Sequence, residues 1–267
     1  MIPNVFSIAG SDPSGGAGIQ ADIKAISANG AYAMAVLTAL TAQNTQGVSG
    51  LHLIPPQFVA QQIRSIFDDI RVDAVKIGMI ANAEIAATVA DVLAKYRDLI
   101  IVLDPVMIAK GGAPLLQENA IATLRNRLLP LATLLTPNLP EAAHLLGVDT
   151  ARSRDEMVIQ GAALCAMGPK AVLMKGGHLD GTDSPDCLVT AEGTYWFEGA
   201  RIDTQNTHGT GCTLSSALAA QLAHGLPLPK AVSTAKTYVA RAIADADELS
   251  VGSGHGPTHH FAGMMPA

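Results

Sequence analysis

The chain has 267 residues, and its composition excludes several classes of protein. Hydrophobic residues make up 49% of it and charged residues only 15%, which rules out intrinsic disorder and allows a large core. The 17 basic and 23 acidic residues give a net charge of −6 without any lysine or arginine cluster, so the electrostatic pattern of a nucleic-acid-binding protein is missing. No apolar run reaches the roughly 18 residues of a membrane span.

The cysteines point to a reducing compartment. Cys165, Cys187 and Cys212 are odd in number and lack the spacing of a metal site. The first basic residue is Lys24, so the start of the chain does not have the charged segment of a secretory signal. The sequence therefore predicts a cytoplasmic protein.

Short β-branched apolar runs alternate with longer helical stretches. The predicted strands cover residues 5–9, 33–41, 74–77, 99–103, 133–136 and 171–174, and the predicted helices cover 18–28, 57–69, 83–96, 116–128, 139–146, 154–167, 210–224 and 229–247. Residues 187–190 and 194–197 predict a hairpin at a sheet edge. This alternation predicts one α/β domain over residues 1–267, with a doubly wound, mainly parallel sheet and helices on both faces.

Polar residues and glycines follow the predicted strands. They are Gly10-Ser11-Asp12, Gln43-Asn44, Gly78-Met79, Asp104-Pro105, Thr136-Pro137-Asn138 and Lys175-Gly176-Gly177. Ligands of open parallel sheets bind beyond the carboxyl ends of the strands. The sequence therefore predicts a polar crevice at that edge of the sheet.

Residues 10–18 form the first glycine-rich segment. It does not have the lysine of a phosphate-binding P-loop, because Gly16-Ala17 stands where that motif requires Lys-Ser/Thr. Residues 16–21 fit a relaxed dinucleotide-binding fingerprint, but the second strand does not end in the acid that would bind the ribose. An NAD-dependent oxidoreductase remains an alternative on this motif alone.

Residues 206–213 form the second glycine-rich segment and lead directly into a helix. A Gly-Thr-Gly turn before a helix leaves backbone N–H groups free, and these suit an anion such as a transferring phosphoryl group. The alternative is a plain turn in which Thr210 caps the helix.

Three further elements fit phosphate chemistry. Asp104 ends a buried strand, Asn138 and Glu141 have the spacing of a helix capping box, and Lys175 ends an apolar strand. Asp104 and Glu141 could hold Mg²⁺ through water, and the Lys175 ammonium could reach a phosphate. Each has a structural alternative, but together they predict phosphoryl transfer.

Seven blocks of the sequence carry a resemblance to a known family. They are GSDPSGGAGIQAD at 10–22, TALTAQN at 38–44, KIGM at 76–79, DPVM at 104–107, TPNLPE at 136–141, KGGH at 175–178 and NTHGTGCT at 206–213. In this order they resemble the hydroxymethylpyrimidine/phosphomethylpyrimidine kinases of thiamine biosynthesis. The resemblance implies a ribokinase-like fold, a homodimer, and ATP-dependent phosphorylation of 4-amino-5-hydroxymethyl-2-methylpyrimidine and then of its monophosphate.

The resemblance also implies roles for individual residues. Gln43 would read the pyrimidine edge, since its amide both donates and accepts hydrogen bonds. Gly10, Asp22, Met79 and Val106 would complete the substrate pocket; Lys175, Asn138 and Thr207 would bind ATP phosphates; Asp104 and Glu141 would hold Mg²⁺; and Gly209, Thr210 and Gly211 would form the anion hole.

Cys212 departs from the wider ribokinase pattern, which has an aspartate as general base at this position. A helix N-terminus lowers the pKa of a thiol, so Cys212 could accept the proton of the substrate hydroxyl. Alternatively it only orients that hydroxyl, or it is a small buried apolar residue.

Several alternatives stay open at this stage. A pyridoxal or pyridoxine kinase would share the fold and the phosphate machinery, and a non-catalytic sensor of thiamine precursors would share the pocket. His208 could contact phosphate or lie at the surface, and the histidine-containing tail at 254–260 has no assigned role.

Overall fold

The computed structural model describes residues 1–107 and 118–264. Its central sheet has eight strands in the order β10-β9-β8-β7-β6-β5-β1-β2, and β3 and β4 form a separate two-stranded sheet. The strands are β1 (Asn4–Ala9), β2 (Tyr32–Leu37), β3 (Ala39–Asn44), β4 (Gly47–Leu53), β5 (Ala74–Ile77), β6 (Ile100–Leu103), β7 (Leu134–Leu135), β8 (Ala171–Lys175), β9 (Asp186–Thr190) and β10 (Thr194–Phe197).

Helices cover both faces of the central sheet, as predicted. They are α1 (Gly18–Ala28), α2 (Pro56–Phe67), α3 (Ala83–Leu93), α4 (Glu118–Thr123), α5 (Leu139–Leu146), α6 (Arg154–Cys165), α7 (Thr210–Ala223) and α8 (Leu228–Ala244). Residues before 118 in the predicted helix 116–128 lie outside the described residues. After α4 the backbone continues as a π-helical turn, Leu124–Leu128.

Two hydrophobic layers explain why the strands are apolar throughout. Phe6 packs in a layer with residues of α2 to α6, and its neighbour Val5 packs in the opposite layer with α1, α7 and α8. Successive side chains of a strand point to opposite faces, so a strand covered on both sides has no polar alternation. β1, β2, β5, β6, β7 and β8 are parallel, and β9 pairs antiparallel with both β8 and β10. The predicted edge hairpin is therefore confirmed.

The predicted strand 33–41 is wrong as one element, because the chain leaves the central sheet at Thr38. The Thr38 side chain is fully buried. Its backbone N–H donates to the carbonyl oxygen of Ala9 at 3.0 Å, and its hydroxyl donates to the carbonyl oxygen of Met79 at 2.7 Å. The chain then enters β3, which pairs antiparallel with β4. β4 was not predicted, since Gly47, Ser49 and Gly50 weaken its strand propensity.

The parallel strands end at one edge of the sheet, where the loops after β1, β5, β6 and β7 approach the N-terminus of α7. Among the described residues, no helix is long and apolar enough to cross a membrane.

Candidate active site

A cleft of about 1130 Å³ lies at this carboxyl edge of the sheet. All but one of the residues given a catalytic, substrate, phosphate or metal role in the sequence analysis line it, although they are spread over more than two hundred positions of the chain. They are Gly10, Gln43, Met79, Asp104, Val106, Asn138, Glu141, Lys175, Thr207, Gly209, Thr210, Gly211 and Cys212. Asp22 is the exception.

Asp104 and Lys175 form an ion pair in the middle of the cleft. Lys175 Nζ lies 3.0 Å from Oδ1 of Asp104 and 3.9 Å from Oε2 of Glu141. The hydroxyl of Thr136 donates to Asp104 at 3.2 Å, which holds the carboxylate in place. The Ser215 hydroxyl lies 3.3 Å from Asp104 and donates to the nearer Gly211 carbonyl oxygen at 2.9 Å. Burial lowers the pKa of Lys175, but the two carboxylates outweigh it and raise that pKa, so the ammonium stays charged.

Asn138 and Glu141 form the predicted capping box at the start of α5. Each backbone N–H donates to the side chain of the other residue at 2.8 Å. The capping role of these residues and their predicted role in the site are therefore compatible, because the same capping box places Glu141 at the cleft. Burial and the nearby Asp104 raise the pKa of Glu141 to about 7, although Lys175 opposes the shift.

The glycines of the turn at residues 209–211 let its backbone lie close to neighbouring groups. Gly209 has a φ of 78°, and a Cβ there would collide with the carbonyl oxygen of Gly16. A Cβ on Gly211 would lie 3.5 Å from both Asp104 Oδ2 and Lys175 Nζ, so the turn's backbone borders the ion pair.

The suggestion that Thr210 caps α7 is wrong. Its hydroxyl donates to the carbonyl oxygen of Thr207 at 2.8 Å, and the N-cap position belongs to Gly209. Within the part of the chain that the structure describes, no side chain caps this helix. The N–H of Thr210 donates to the Thr207 carbonyl oxygen at 3.3 Å. The next N–H group, that of Gly211, and the positive end of the helix dipole are available to an anion in the cleft.

Cys212 does not have the low pKa expected from its place at a helix N-terminus. Burial raises the pKa of the thiol to about 11, which outweighs the opposing effect of the Lys76 ammonium. Asp22 and Asp104 raise it further. The thiol that lines the cleft is therefore neutral.

Asp22 does not line the cleft, which corrects its predicted contact with a substrate. Its side chain is 0% exposed, and its oxygens accept hydrogen bonds from Lys76 Nζ at 2.7 and 2.9 Å. The hydroxyls of Ser7 and Ser216 also donate to it, at 2.6 and 2.8 Å. Asp22 instead joins β1, β5, α1 and α7 through a buried ion pair beneath the site.

Gln43, Met79 and Val106 border one end of the cleft, beside Gly10. Met79 and Val106 also pack with Ala39, so the apolar wall of the cleft is at the same time a small core. Gly10 lies directly against Met79, so that a Cβ on it would displace the methyl group of that side chain. Together they form a narrow apolar slot with one amide at its side.

Asp12 and His208 were missed as a pair by the sequence analysis. His208 is only 9% exposed, and its Nε2 lies 2.7 Å from Oδ2 of Asp12 and 3.4 Å from the Gln43 side chain. The tail explains why His208 is buried: the His208 N–H donates to the Gly256 carbonyl oxygen at 3.0 Å. The glycines of residues 254–260 were the only signal of this contact.

A second group of apolar residues that line the cleft was also missed. They are Ile202, Leu214, Val239, Ala240 and Ile243. Helical spacing marks Val239 and Ile243 only as an apolar stripe, which is equally typical of core packing. Their side chains form a hydrophobic pocket that suits a flat ring such as a nucleobase.

The first glycine-rich segment packs against the second. Gly16 lies against the His208 ring and Pro257, and its carbonyl oxygen faces Gly209. The glycines thus allow two loops of this chain to meet, which removes the structural reason for a dinucleotide-binding interpretation.

Two carboxylates, Asp104 and Glu141, face the cleft as candidate metal ligands. Among the described residues, no group of three or more His, Cys, Asp or Glu side chains could hold a metal ion. This donor set fits Mg²⁺, which keeps several waters and needs only one or two carboxylates besides phosphate oxygens.

An ammonium, two carboxylates and an uncapped helix N-terminus meet at the carboxyl edge of a parallel sheet, which defines a ribokinase-like phosphotransferase. The family model described as phosphomethylpyrimidine kinase matches residues 12–259, and the chain belongs to this family.

Curated relatives agree with this assignment. The chain is 56% identical over 258 residues to the hydroxymethylpyrimidine/phosphomethylpyrimidine kinase of Escherichia coli, covering 97% of each protein. It is 50% identical to the thiamine biosynthesis bifunctional protein of Geobacter sulfurreducens, covering 97% of this chain and 52% of that protein.

Solved structures agree as well. An ADP complex of Bacillus subtilis pyridoxal kinase matches with a TM-score of 0.89 and 34% identity, covering 98% of both chains. A phosphomethylpyrimidine kinase from Clostridium difficile matches with a TM-score of 0.81 and 43% identity, covering 91% of this chain and 100% of that one.

Proposed function

We propose that this protein is an ATP-dependent kinase of thiamine biosynthesis, which phosphorylates 4-amino-5-hydroxymethyl-2-methylpyrimidine and then its monophosphate. The observation that carries the proposal is the cleft itself. Its lining brings together Lys175 and the turn Gly209–Gly211, an apolar slot beside Gln43, and the second apolar group that contains Val239 and Ile243. The pyrimidine lies in the slot and the adenine of ATP in the hydrophobic pocket.

The transferring phosphoryl group lies between the turn and the ion pair. Gly209 and Gly211 offer backbone N–H groups to its oxygens, while the N–H of Thr210 between them donates to the Thr207 carbonyl oxygen at 3.3 Å. Lys175 adds a positive charge. Asn138 and Thr207 bind the remaining ATP phosphates. Because charge is spread over the phosphoryl oxygens in the transition state, these fixed donors stabilise it more than the ground state.

Asp104 and Glu141 would hold Mg²⁺ at the site of the ATP phosphates. The ion would supply positive charge that neutralises the phosphate oxygens. Asp104 already neighbours Lys175 at 3.0 Å, so the two carboxylates offset the positive charge gathered at the site.

Cys212 orients the substrate hydroxyl toward the phosphoryl group. Its neutral thiol, with a pKa raised by burial to about 11, is poorly suited to be a general base at neutral pH. A loose phosphoryl-transfer transition state needs little removal of the hydroxyl proton before the bond forms, so orientation is the more effective contribution.

Gln43 recognises the aminopyrimidine edge, while Met79, Val106 and Gly10 enclose the ring. The apolar slot favours a flat heteroaromatic ring, and the single amide supplies one donor and one acceptor to fix its direction.

Product analysis tests this function directly. The protein is incubated with magnesium-ATP and the pyrimidine alcohol, its monophosphate, or pyridoxal, and the products are identified by mass spectrometry. Formation of the monophosphate and then the diphosphate is the expected result. Turnover of pyridoxal alone, or of no substrate, would contradict the assignment.

A side activity on pyridoxal is a second candidate. It is favoured by the pyridoxal kinases of Bacillus subtilis and Staphylococcus aureus, which match with TM-scores of 0.89 and 34% and 32% identity. The same product assay measures it.

We further propose that the protein is a homodimer working in the cytoplasm. Apolar side chains are exposed around the free edge strand β2: Tyr32 on β2 itself, Leu40 and Leu51 on β3–β4, and Phe58 on α2. A second copy covering this region would bury them. The three free cysteines suit a reducing compartment. Light scattering on a sizing column should give twice the chain mass of 27.5 kDa, and a single-chain mass at micromolar concentration would contradict the dimer.

A further inference from the structure

The side-chain amide of Gln43 lies between two polar neighbours. As placed, its oxygen is 3.2 Å from Thr41 Oγ1 and its nitrogen is 3.4 Å from His208 Nε2. The oxygen and nitrogen ends of an amide have almost the same shape, so the hydrogen-bonding roles of the neighbours decide which end faces which.

His208 cannot accept a hydrogen bond from Gln43, because its Nε2 carries the hydrogen that is held by Asp12 and has no lone pair. That nitrogen lies 2.7 Å from Oδ2 of Asp12. The Asp12 carboxyl also accepts hydrogen bonds from the backbone N–H and hydroxyl of Ser14 and from the N–H of Ala17, at 2.7–2.9 Å. A carboxyl surrounded by donors is ionised and only accepts, so Nε2 carries a hydrogen in the neutral and in the charged form of the imidazole.

Asp12 also has a pKa that fits this role. Burial raises the pKa of its carboxyl, but hydrogen bonds from His208 and Ser14 outweigh burial and lower the pKa below its usual value. The carboxylate therefore remains an acceptor at neutral pH.

Thr41 imposes the complementary requirement. Its hydroxyl donates to the carbonyl oxygen of Ser11 at 2.8 Å. A hydroxyl has one hydrogen, so Thr41 Oγ1 can only accept from Gln43. An amide oxygen facing Thr41 and an amide nitrogen facing His208 would leave both contacts without a hydrogen bond.

We infer that Gln43 turns its amide oxygen toward His208 and its amide nitrogen toward Thr41, and that the Asp12–His208 pair determines substrate specificity by enforcing this orientation. One lone pair and one N–H of the amide then remain for a ligand. The inference deepens the proposed function, on which it rests. It puts the 4-amino group of the pyrimidine on the His208 side, donating to the amide oxygen, and the ring nitrogen N3 on the Thr41 side.

The tail holds His208 for this task. The His208 N–H donates to the Gly256 carbonyl oxygen at 3.0 Å, and the Thr258 N–H donates to the His208 carbonyl oxygen at 3.4 Å. The ring also packs against Gly16, where a Cβ would collide with it. The tail segment 254–260, which had no assigned role, thus fixes a positioning residue of the substrate slot.

A substrate with the reversed pattern tests the inference. The 4-oxo counterpart, 5-hydroxymethyl-2-methylpyrimidin-4(3H)-one, accepts at O4 and donates at N3, so it matches the opposite amide orientation. Steady-state kinetics with magnesium-ATP are measured on both compounds for the wild type, His208→Ala, His208→Gln and His224→Ala. His224 is the matched control, because its ring bonds the Asn29 carbonyl oxygen outside the cleft.

The wild type should prefer the amino compound strongly. His208→Ala should lower that preference, measured as the ratio of the two kcat/KM values, by about tenfold, mainly through KM, since the side of the amide that faced His208 no longer excludes the amide nitrogen. His208→Gln, which keeps an N–H donor, should restore much of the preference, and His224→Ala should leave it unchanged.

Equal losses of kcat/KM on both compounds in His208→Ala would overturn the inference, because a structural role alone predicts them. If His208→Ala does not fold, Thr41→Val replaces it: loss of the acceptor should lower the preference in the same way, and an unchanged preference would overturn the inference. Failure of the wild type to phosphorylate the amino compound would instead contradict the proposed function.

Discussion

Lys175 and Asp104, 71 positions apart in the chain, hold their charged groups 3.0 Å apart in the cleft. The pair joins the ends of β8 and β6, two strands that are separated by β7 in the sheet. The ammonium is thereby fixed before any ligand binds, which is what electrostatic stabilisation of a transition state requires.

Lys175→Met should lower kcat about a hundredfold or more, since it removes a preorganised charge from the transferring phosphoryl group. The exposed Lys170 offers the matched control, and Lys170→Met should leave kcat unchanged. The measurement is the rate of product formation at saturating magnesium-ATP. Equal rates for the two variants would contradict the role of Lys175.

Asp22→Asn should destabilise the fold by about 3–5 kcal/mol, because it leaves the fully buried Lys76 ammonium without its partner. The measurement is the free energy of unfolding in urea. Asp73→Asn, which breaks an exposed pair with Arg71, is the control and should cost about 1 kcal/mol or less. Similar losses of unfolding free energy in the two variants would contradict the larger contribution of the buried pair to stability.

Glu141 should make stability depend on pH. Its folded pKa of about 7 lies above the ordinary value of 4.5, so the folded state holds this proton more tightly than the unfolded state. Stability is therefore lost as pH rises from 4.5 to 7, and relative to the isosteric Glu141→Gln variant the loss should reach at most about 3 kcal/mol. Urea unfolding across this range tests it, and a constant difference between the proteins would contradict it.

Cys212 should react slowly with alkylating reagents. With a pKa of about 11, its thiolate fraction at pH 7.5 is roughly a hundredfold below that of an ordinary cysteine. Rates of iodoacetamide labelling, followed by mass spectrometry of the peptide, measure this. Cys212→Ser should keep kcat within about tenfold, since a hydroxyl can also orient the substrate. Fast labelling at neutral pH together with an inactive serine variant would instead favour a thiolate base.

Local sequence patterns predicted most of the fold. The strands β1, β5, β6 and β8 are short β-branched runs between turn residues, and Asn138 with Glu141 marks the start of α5, so periodicity and capping rules suffice for them. β4 was not predicted because its glycines and serine have low strand propensity. It pairs only with β3. The single domain over 1–267 stays a prediction.

The site was predictable where its residues end a strand or directly follow one, as Lys175 and Asp104 do. Contacts between distant segments were not predictable. Asp22 and Lys76 are 54 positions apart and Asp12 and His208 are 196 apart, so no local pattern shows that either pair exists. The pKa of Cys212 was misjudged for the same reason, since its burial arises from packing and not from its place on α7.

The Gly211→Ala variant tests the central claim most directly, namely that the phosphoryl group lies between the start of α7 and the Lys175–Asp104 pair. The added methyl would lie 3.5 Å from both side chains, an ordinary contact that leaves the fold intact but fills the space of the phosphate. We predict a single-turnover rate with magnesium-ATP and the pyrimidine alcohol at least about a hundredfold below the wild type, with an unchanged melting temperature. A wild-type rate in this variant would contradict the account.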